Sequence, residues 1–420
     1  MILKQAIGCI ADDFTGASDV CSFLADSGAS CLLLNGVPEK ENTDLGSIDV
    51  VVVALKIRSI KQGDAIRETT RAMDWLEGKG IGRYYYKYCS TFDSTPQGNI
   101  GPVLDYLLER LGQTFCVVSP ALPVNHRTVF NGYLYVGRQL LSESSMRYHP
   151  LNPMKDSYLP RLLDAQSKYS SYVLNYQELG QAVDEVRAYA EGLSDDNHYY
   201  IICDCFSDEH GEQIAKAFGH MKLLSGSSSL IDFWYRNIQG GSKRVNQIKR
   251  ASTDPRALIL SGSLSRQTQK QVASFINSGG NALQIIASEL NQDESHLHKL
   301  LDAIDHLKGK LLIYSDPDSK KTDLNPDASA NKLEDAMATL ARHAVSLGIE
   351  KLIVAGGETS GAVVQALGFT SFAIGDTVAP GVPILKPADR QDIQLVLKSG
   401  NFGQDDFFNR AISLMEEKTQ

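Results

Sequence analysis

Short apolar runs alternate with stretches of helical periodicity along the first half of this 420-residue chain, and that alternation limits the fold more than any other feature. The runs fall at 6–11, 31–35, 50–55, 84–90, 114–119, 172–176 and 199–205, with helices between them, for example at 61–77, 99–111, 179–193 and 208–219. Strand, helix and strand at this spacing make right-handed crossovers and a mostly parallel sheet. The polar, locally basic stretch 237–255 ends in Pro255 and reads as a linker. The pattern then restarts, with strands near 257–260, 282–286, 310–315 and 351–355 and helices near 265–278, 294–307 and 331–347. The stretch 316–331 reads as an exposed polar loop. The expectation is an α/β protein of two domains, 1–236 and 256–420, each with a largely parallel sheet flanked by helices.

In open sheets of this kind, ligands bind beyond the carboxyl ends of the strands. The first run ends there in IADDFTGASD, residues 10–19, where Asp12 and Asp13 close a strand and Thr15-Gly16-Ala17-Ser18 begins a helix. Two adjacent carboxylates repel and are costly to bury, so a strand end that carries them is suited to bind hydroxyls, hold a metal or accept a proton.

Composition narrows the partners. Hydrophobic residues at 43% and charged residues at 22% describe a soluble globular chain. A net charge of −9 argues against nucleic acid or an anionic membrane surface as the partner. No run approaches the ~20 apolar residues of a membrane span, and the stretch ending at Asp12 is too short for a signal-peptide core. The seven cysteines form no CxxC pair, and Cys203-Asp204-Cys205 lacks neighbouring histidines. They read as small hydrophobes of a cytosolic chain rather than metal ligands. A homo-oligomer is compatible with this composition, though no residue pattern specifies one.

A second strand-end signal is KLIVAGGETSGAVVQALG, residues 351–368. Gly356 and Gly357 make a tight turn, followed by Glu358 and by Thr359-Ser360-Gly361 opening a helix. A helix N-terminus with unpaired N–H groups, approached through glycines, suits a phosphate; a plain capped strand-to-helix turn has the same pattern. Ser261-Gly262-Ser263 repeats the arrangement, and Lys398, Ser399, Gly400 and Gly403 cluster after another apolar run. Neither a GxxxxGK[ST] loop nor a GxGxxG fingerprint is present, which speaks against a dinucleotide-dependent dehydrogenase.

In the first half, YYYKYCSTFDSTPQGNIG places Lys87, Ser90, Thr91, Asp93 and Ser94 beyond a strand, where the lysine can meet an anion and the others offer hydroxyl and carboxylate contacts. Ser94, Thr95 and Asn99 equally suit turns and a helix cap. The connection 119–160 is too long to be idle. Its Arg127 can bind a carboxylate bidentately, and Asn125 and His126 are weaker candidates. The segment 149–166 reads as a proline-framed entry to a helix.

Taken together and in this order, ADDFTGASD, STFDSTPQGNIG, HRTVFNGYLYVG, the Gly356–Gly357 turn and SGNFG resemble the four-carbon acid sugar kinase family over nearly the whole chain. With Ser142-Glu143-Ser144, the first-half segments look most like the branch that acts on 3-oxo-tetronate; Leu264 departs from the smaller residue that the family pattern has after Ser263. The resemblance implies an acid-sugar-binding first domain, an ATP-binding second domain, and phosphorylation of the C4 hydroxyl. It places the sugar acid near Asp12, Asp13, Lys87, Ser90, Thr91, Asp93 and Arg127. It places ATP near Ser261, Gly356, Gly357, Glu358, Thr359 and Gly403, with Mg²⁺ accompanying ATP and no metal ligand assigned to the protein. Asp12 or Asp13 takes the base or hydroxyl-orienting role, and the domains close on both substrates. Erythronate or threonate is the alternative substrate, and a non-catalytic sugar-acid and nucleotide sensor is the alternative from another class.

Overall fold

The computed structural model describes residues 6–39, 45–148, 152–239, 254–290, 295–315 and 326–416. They divide into two compact units, the first within 1–246 and the second within 247–420. Most of the expected linker, and the expected loop from 316 to 325, lie outside the described residues; Pro326 onward is helical, within Pro326–Ser346. Asn237 to Gln239 belong to the last turn of a helix, Ser228–Gln239, that the linker reading cut short. Among the described residues no helix is long and apolar enough to cross a membrane.

The first unit contains strands β1 (Ile7–Ala11), β2 (Cys31–Asn35), β3 (Val50–Ala54), β4 (Arg83–Lys87), β5 (Phe115–Ser119), β6 (Arg127–Phe130), β7 (Tyr133–Val136), β8 (Gln139–Leu140), β9 (Ser171–Leu174), β10 (Tyr199–Cys203) and β11 (Leu223–Gly226). Eight of them form a wholly parallel sheet in the order β2-β3-β1-β4-β11-β5-β10-β9. The β1 sequence IGCIA and the β3 sequence VVVVA are buried at every position, as strands covered on both faces must be. The expected strands appear within one to three residues of their limits. β11 does not figure in the sequence reading: LLSG is short, and only pairing with β4 and β5 makes it a strand.

The long connection after β5 folds into the antiparallel ribbon β6-β7-β8. Asp204, the residue between the two cysteines, holds this ribbon by accepting the backbone N–H of Asn131 (2.8 Å), Gly132 (3.0 Å) and Tyr176 (3.1 Å). All seven cysteines are free thiols.

The second unit contains β12 (Ala257–Ser261), β13 (Asn281–Ile285), β14 (Lys310–Ser315), β15 (Lys351–Ala355), β16 (Ser371–Ala379), β17 (Val382–Pro387) and β18 (Gln394–Lys398), ordered β13-β14-β12-β15-β18-β17-β16. The first five strands of that order are parallel, and β17 and β16 add an antiparallel hairpin that the sequence reading left unassigned. Phe275, Ile353 and Val396 share the core with Phe407 and Phe408, which begin the helix Phe407–Glu416.

Candidate active site

In the first unit, parallel register puts Ala11 opposite both Ala54 of β3 and Lys87 of β4, so the residues just beyond these three strand ends meet. Asp12 is 2% exposed, and its two carboxylate oxygens accept from Arg58, Oδ2 from Nε at 2.8 Å and Oδ1 from Nη2 at 2.9 Å. The same Nη2 lies 3.0 Å from Asp13 Oδ1. Asp13 also caps the helix Phe14–Asp26, accepting the Gly16 N–H at 2.7 Å and the Thr15 hydroxyl at 2.9 Å. The Asp12 carbonyl in turn accepts the backbone N–H groups of Ile57 (3.1 Å) and Arg58 (3.3 Å).

Arg58 is the residue sequence reasoning missed. It sits in the loop after β3, in a run of alternating basic and neutral residues with nothing to mark it. Asn99 anchors that loop, its amide donating to the carbonyls of Ile57 (2.7 Å) and Ile60 (2.8 Å) on either side of Arg58. Asn99 spends its amide N–H groups on this loop, and its side-chain oxygen makes no cap on its own helix, Ile100–Leu111.

The adjacent carboxylates end with different acidities. Burial pushes Asp12 up, and the charge and hydrogen bonds of Arg58 only partly offset this. For Asp13 burial acts in the same direction, but the Arg58 and Lys87 charges, with the Thr15 and Gly16 hydrogen bonds, outweigh it and hold the carboxyl low. Lys87 is 3% exposed, and its ammonium donates to the Tyr88 carbonyl at 2.9 Å. Gly16 makes its approach possible: a Cβ there would lie 2.9 Å from Lys87 Nζ and 2.4 Å from Asp13 Oδ1.

The remaining predicted residues line the next loops. Thr91 shares a 2.9 Å contact with Cys89, Asp93 is buried, and Ser90 is half-buried. Thr95 makes a local turn, accepting the Gln97 N–H, whereas Ser94 donates at long range to Gln166 at 2.9 Å. Arg127 opens β6; its Nη1 donates to the Asn125 carbonyl, and its Nε has no partner among the described residues. Burial lowers its pKa, against the charges of Cys89 and Asp19.

In the second unit the ends of β12, β15 and β18 lie side by side. The N–H groups of Gly262 and Ser263 donate to the Ala355 carbonyl at 3.0 and 3.1 Å, and Gly356 N–H donates to the Lys398 carbonyl at 2.9 Å. Gly356 has φ of 131°, a conformation that L side chains rarely adopt, and a Cβ there would sit 3.0 Å from Thr359 Oγ1. Gly356 gives the helix Gly357–Leu367 no side-chain cap. The hydroxyls of Ser261 and Ser360 are buried without a partner among the described residues. Uncapped N–H groups, glycine walls and two unused hydroxyls fit phosphate oxygens. Glu358 and Gly357 are exposed at the mouth of this turn, whereas Thr359 is buried.

Lys398 is 1% exposed and donates to Thr268 Oγ1 (3.0 Å) and the Gly400 carbonyl (3.2 Å). Burial pushes its ammonium down to about 7. Thr268 and Ser265 donate to the same carbonyl at 2.7 and 2.5 Å, so the Gly400 turn is fixed from three sides. Gly403 has φ of 82°, a Cβ there would meet the Phe407 ring, and its carbonyl accepts from Gln267 (2.9 Å) and Gln271 (3.1 Å). Leu264 contributes its carbonyl, which accepts from Gln269 at 2.9 Å.

Residues 7–233 match the family model of a sugar-binding N-terminal domain, and residues 258–408 that of a nucleotide-binding C-terminal domain. A Haemophilus influenzae protein named 3-oxo-tetronate kinase is 41% identical over 413 residues, 96% of this chain and 98% of its own. Its namesake from Brucella melitensis is 39% identical over 424 residues, 98% of this chain and 96% of its own. A solved Haemophilus influenzae structure is 40% identical with a TM-score of 0.78, covering 97% of this chain and 100% of that one. A solved Salmonella typhimurium structure is 37% identical with a TM-score of 0.86, covering 97% and 98%. These matches define a kinase, a phosphotransferase that uses ATP and an alcohol group as acceptor. The chain belongs to the four-carbon acid sugar kinase family.

Proposed function

We propose that the protein transfers the γ-phosphoryl group of ATP to the C4 hydroxyl of 3-oxo-tetronate, giving 3-oxo-tetronate 4-phosphate and ADP. The observation that carries this reading is the strand-end cluster in which Arg58 holds Asp12 and Asp13 together beside Lys87. Both Asp12 oxygens are taken by the guanidinium, so its role is to anchor Arg58. Asp13 is 27% exposed and meets the acceptor hydroxyl. A carboxylate held ionised is a good hydrogen-bond acceptor for that hydroxyl, and the loose transition state of phosphoryl transfer asks for little more than alignment and neutralised charge. The hydroxyl oxygen forms the new bond to phosphorus, the bond to the ADP oxygen breaks, and the hydroxyl proton leaves along its hydrogen bond to Asp13.

Lys87 and Arg127 suit the carboxylate of the acid, and Ser90, Thr91 and Asp93 its oxygens. Ser261, Gly356, Gly357 and Thr359 hold phosphates, and the carbonyl of Gly403 keeps the neighbouring turn in place. Mg²⁺ arrives with ATP, bound mainly by phosphate oxygens and water, with Glu358 the exposed carboxylate at the turn. Among the described residues no group of three or more His, Cys, Asp or Glu side chains is arranged to hold a metal. Free thiols throughout suit the reducing cytoplasm.

The test is ADP release measured across 3-oxo-tetronate, erythronate and threonate. The expected result is the highest kcat/KM for 3-oxo-tetronate. Preference for a reduced acid would move the substrate assignment to that acid, and binding of both ligands without ADP release would mean a sensor.

A further inference from the structure

A third carboxylate lies beside the Asp13 cluster and has no role in the scheme above. Asp19 is on the helix that Asp13 caps, one turn beyond Gly16, and is 4% exposed. Residues three apart are neighbours on a helix face, and the missing side chain of Gly16 is what admits Lys87 Nζ to that face. One Asp19 oxygen, Oδ2, accepts the hydroxyl of Ser228, the first residue of the helix Ser228–Gln239. The other, Oδ1, is buried without a partner among the described residues.

A carboxylate oxygen removed from water and given no donor is costly, and a ligand hydroxyl would relieve that cost. The charges of Lys87 and Arg127 both act on Asp19. Arg127 carries the matching defect, a guanidinium Nε with no acceptor among the described residues. An unused acceptor and an unused cationic donor in mutual electrostatic range complement a molecule with a hydroxyl next to a carboxylate.

We propose that Asp19 is a specificity residue that accepts the C2 hydroxyl of the acid substrate through Oδ1, while Arg127 takes the adjacent carboxylate. This rests on the reading of the first unit as the acid-sugar site. Ser228 occupies Oδ2, which leaves Oδ1 as the oxygen free to accept from a ligand. Burial pushes the Asp19 carboxyl up to about 6, which leaves it an ionised acceptor at neutral pH. A substrate lacking the C2 hydroxyl leaves Oδ1 buried and unpaired, so discrimination is on the order of 10²-fold or more.

The experiment measures kcat and KM for 3-oxo-tetronate and its 2-deoxy analogue, and KM for ATP, in the wild type, Asp19→Ala and Ser228→Ala. The wild type should favour the 2-hydroxy acid by roughly 10²-fold or more in kcat/KM. Asp19→Ala should bring the two acids within a few-fold of each other, mainly through KM for the hydroxy acid, with KM for ATP unchanged. Ser228→Ala should give an intermediate ratio. A ratio unchanged in Asp19→Ala, or equal losses on both acids, overturns the proposal while leaving the kinase reading intact. If Asp19→Ala does not fold, an unchanged ratio in Ser228→Ala overturns it. A wild type that phosphorylates neither acid overturns the substrate reading and the proposal with it.

Discussion

Replacing Asp13 by Asn is expected to lower kcat by about 10²- to 10⁴-fold, the range typical for loss of a positioned proton-handling group, with ATP affinity unchanged within twofold. The substitution separates two jobs that Asp13 performs. Asn caps helices as well as Asp does, so its amide oxygen can still accept the Gly16 N–H and start the helix Phe14–Asp26. The charge that pairs with Arg58 and Lys87 disappears. A loss of turnover in a variant with a normal melting temperature therefore reports chemistry rather than folding. The nucleotide-binding domain match covers residues 258–408, in the unit that does not contain Asp13, and calorimetric ATP binding should not register the change. Turnover near the wild-type rate would remove Asp13 from the mechanism.

Replacing Arg58 by Met is expected to destabilise the protein by about 3–5 kcal/mol, the usual cost of stripping the partner from a buried charge. Methionine replaces the aliphatic stem of the side chain but offers no donors. Asp12, 2% exposed, loses both hydrogen bonds at once, and Asp13 loses its ion pair. The deficit should depend on pH in a definite direction. With Arg58 gone, burial acts on Asp12 with less opposition, so its folded pKa lies further above its unfolded value of 3.8. A group in that situation binds its proton more tightly in the folded state, and stability falls as pH rises through the unfolded pKa toward the folded one. The variant should thus lie closest to the wild type near pH 4 and fall furthest behind at neutral pH, as read by urea denaturation across that range. Equal stability of the two proteins at neutral pH would show that the guanidinium is not what makes burial of Asp12 tolerable.

Much of this architecture is legible in the sequence because its causes are local. A buried parallel strand must be apolar and is favoured by β-branched residues, so VVVVA announces β3, and IGCIA followed by two aspartates announces β1 and a polar site at its end. The strand-to-helix turn at Gly356 is equally plain, since its backbone conformation calls for glycine. Arg58 is not legible. Its significance comes from the sheet order, which sets β3 beside β1, and from Asn99, which anchors its loop from another element. Asp19 reads as one polar residue in a helix until Ser228, more than 200 residues later, is found on one of its oxygens. Gly403 shows the converse: a glycine in a conspicuous turn whose requirement is set by the ring of Phe407. β11 and the β16-β17 hairpin escaped because LLSG is too short to announce itself and β16 has register shifts that break any simple alternation.

Transfer of a phosphoryl group from ATP to the terminal hydroxyl of a four-carbon acid leaves a distinctive product. Phosphorus–proton correlation NMR of the product formed from 3-oxo-tetronate, ATP and Mg²⁺ identifies it. The expected spectrum shows one phosphate monoester, coupled to the two C4 protons, appearing in step with ADP. A phosphate on C2, or ADP accompanied only by inorganic phosphate, would contradict it.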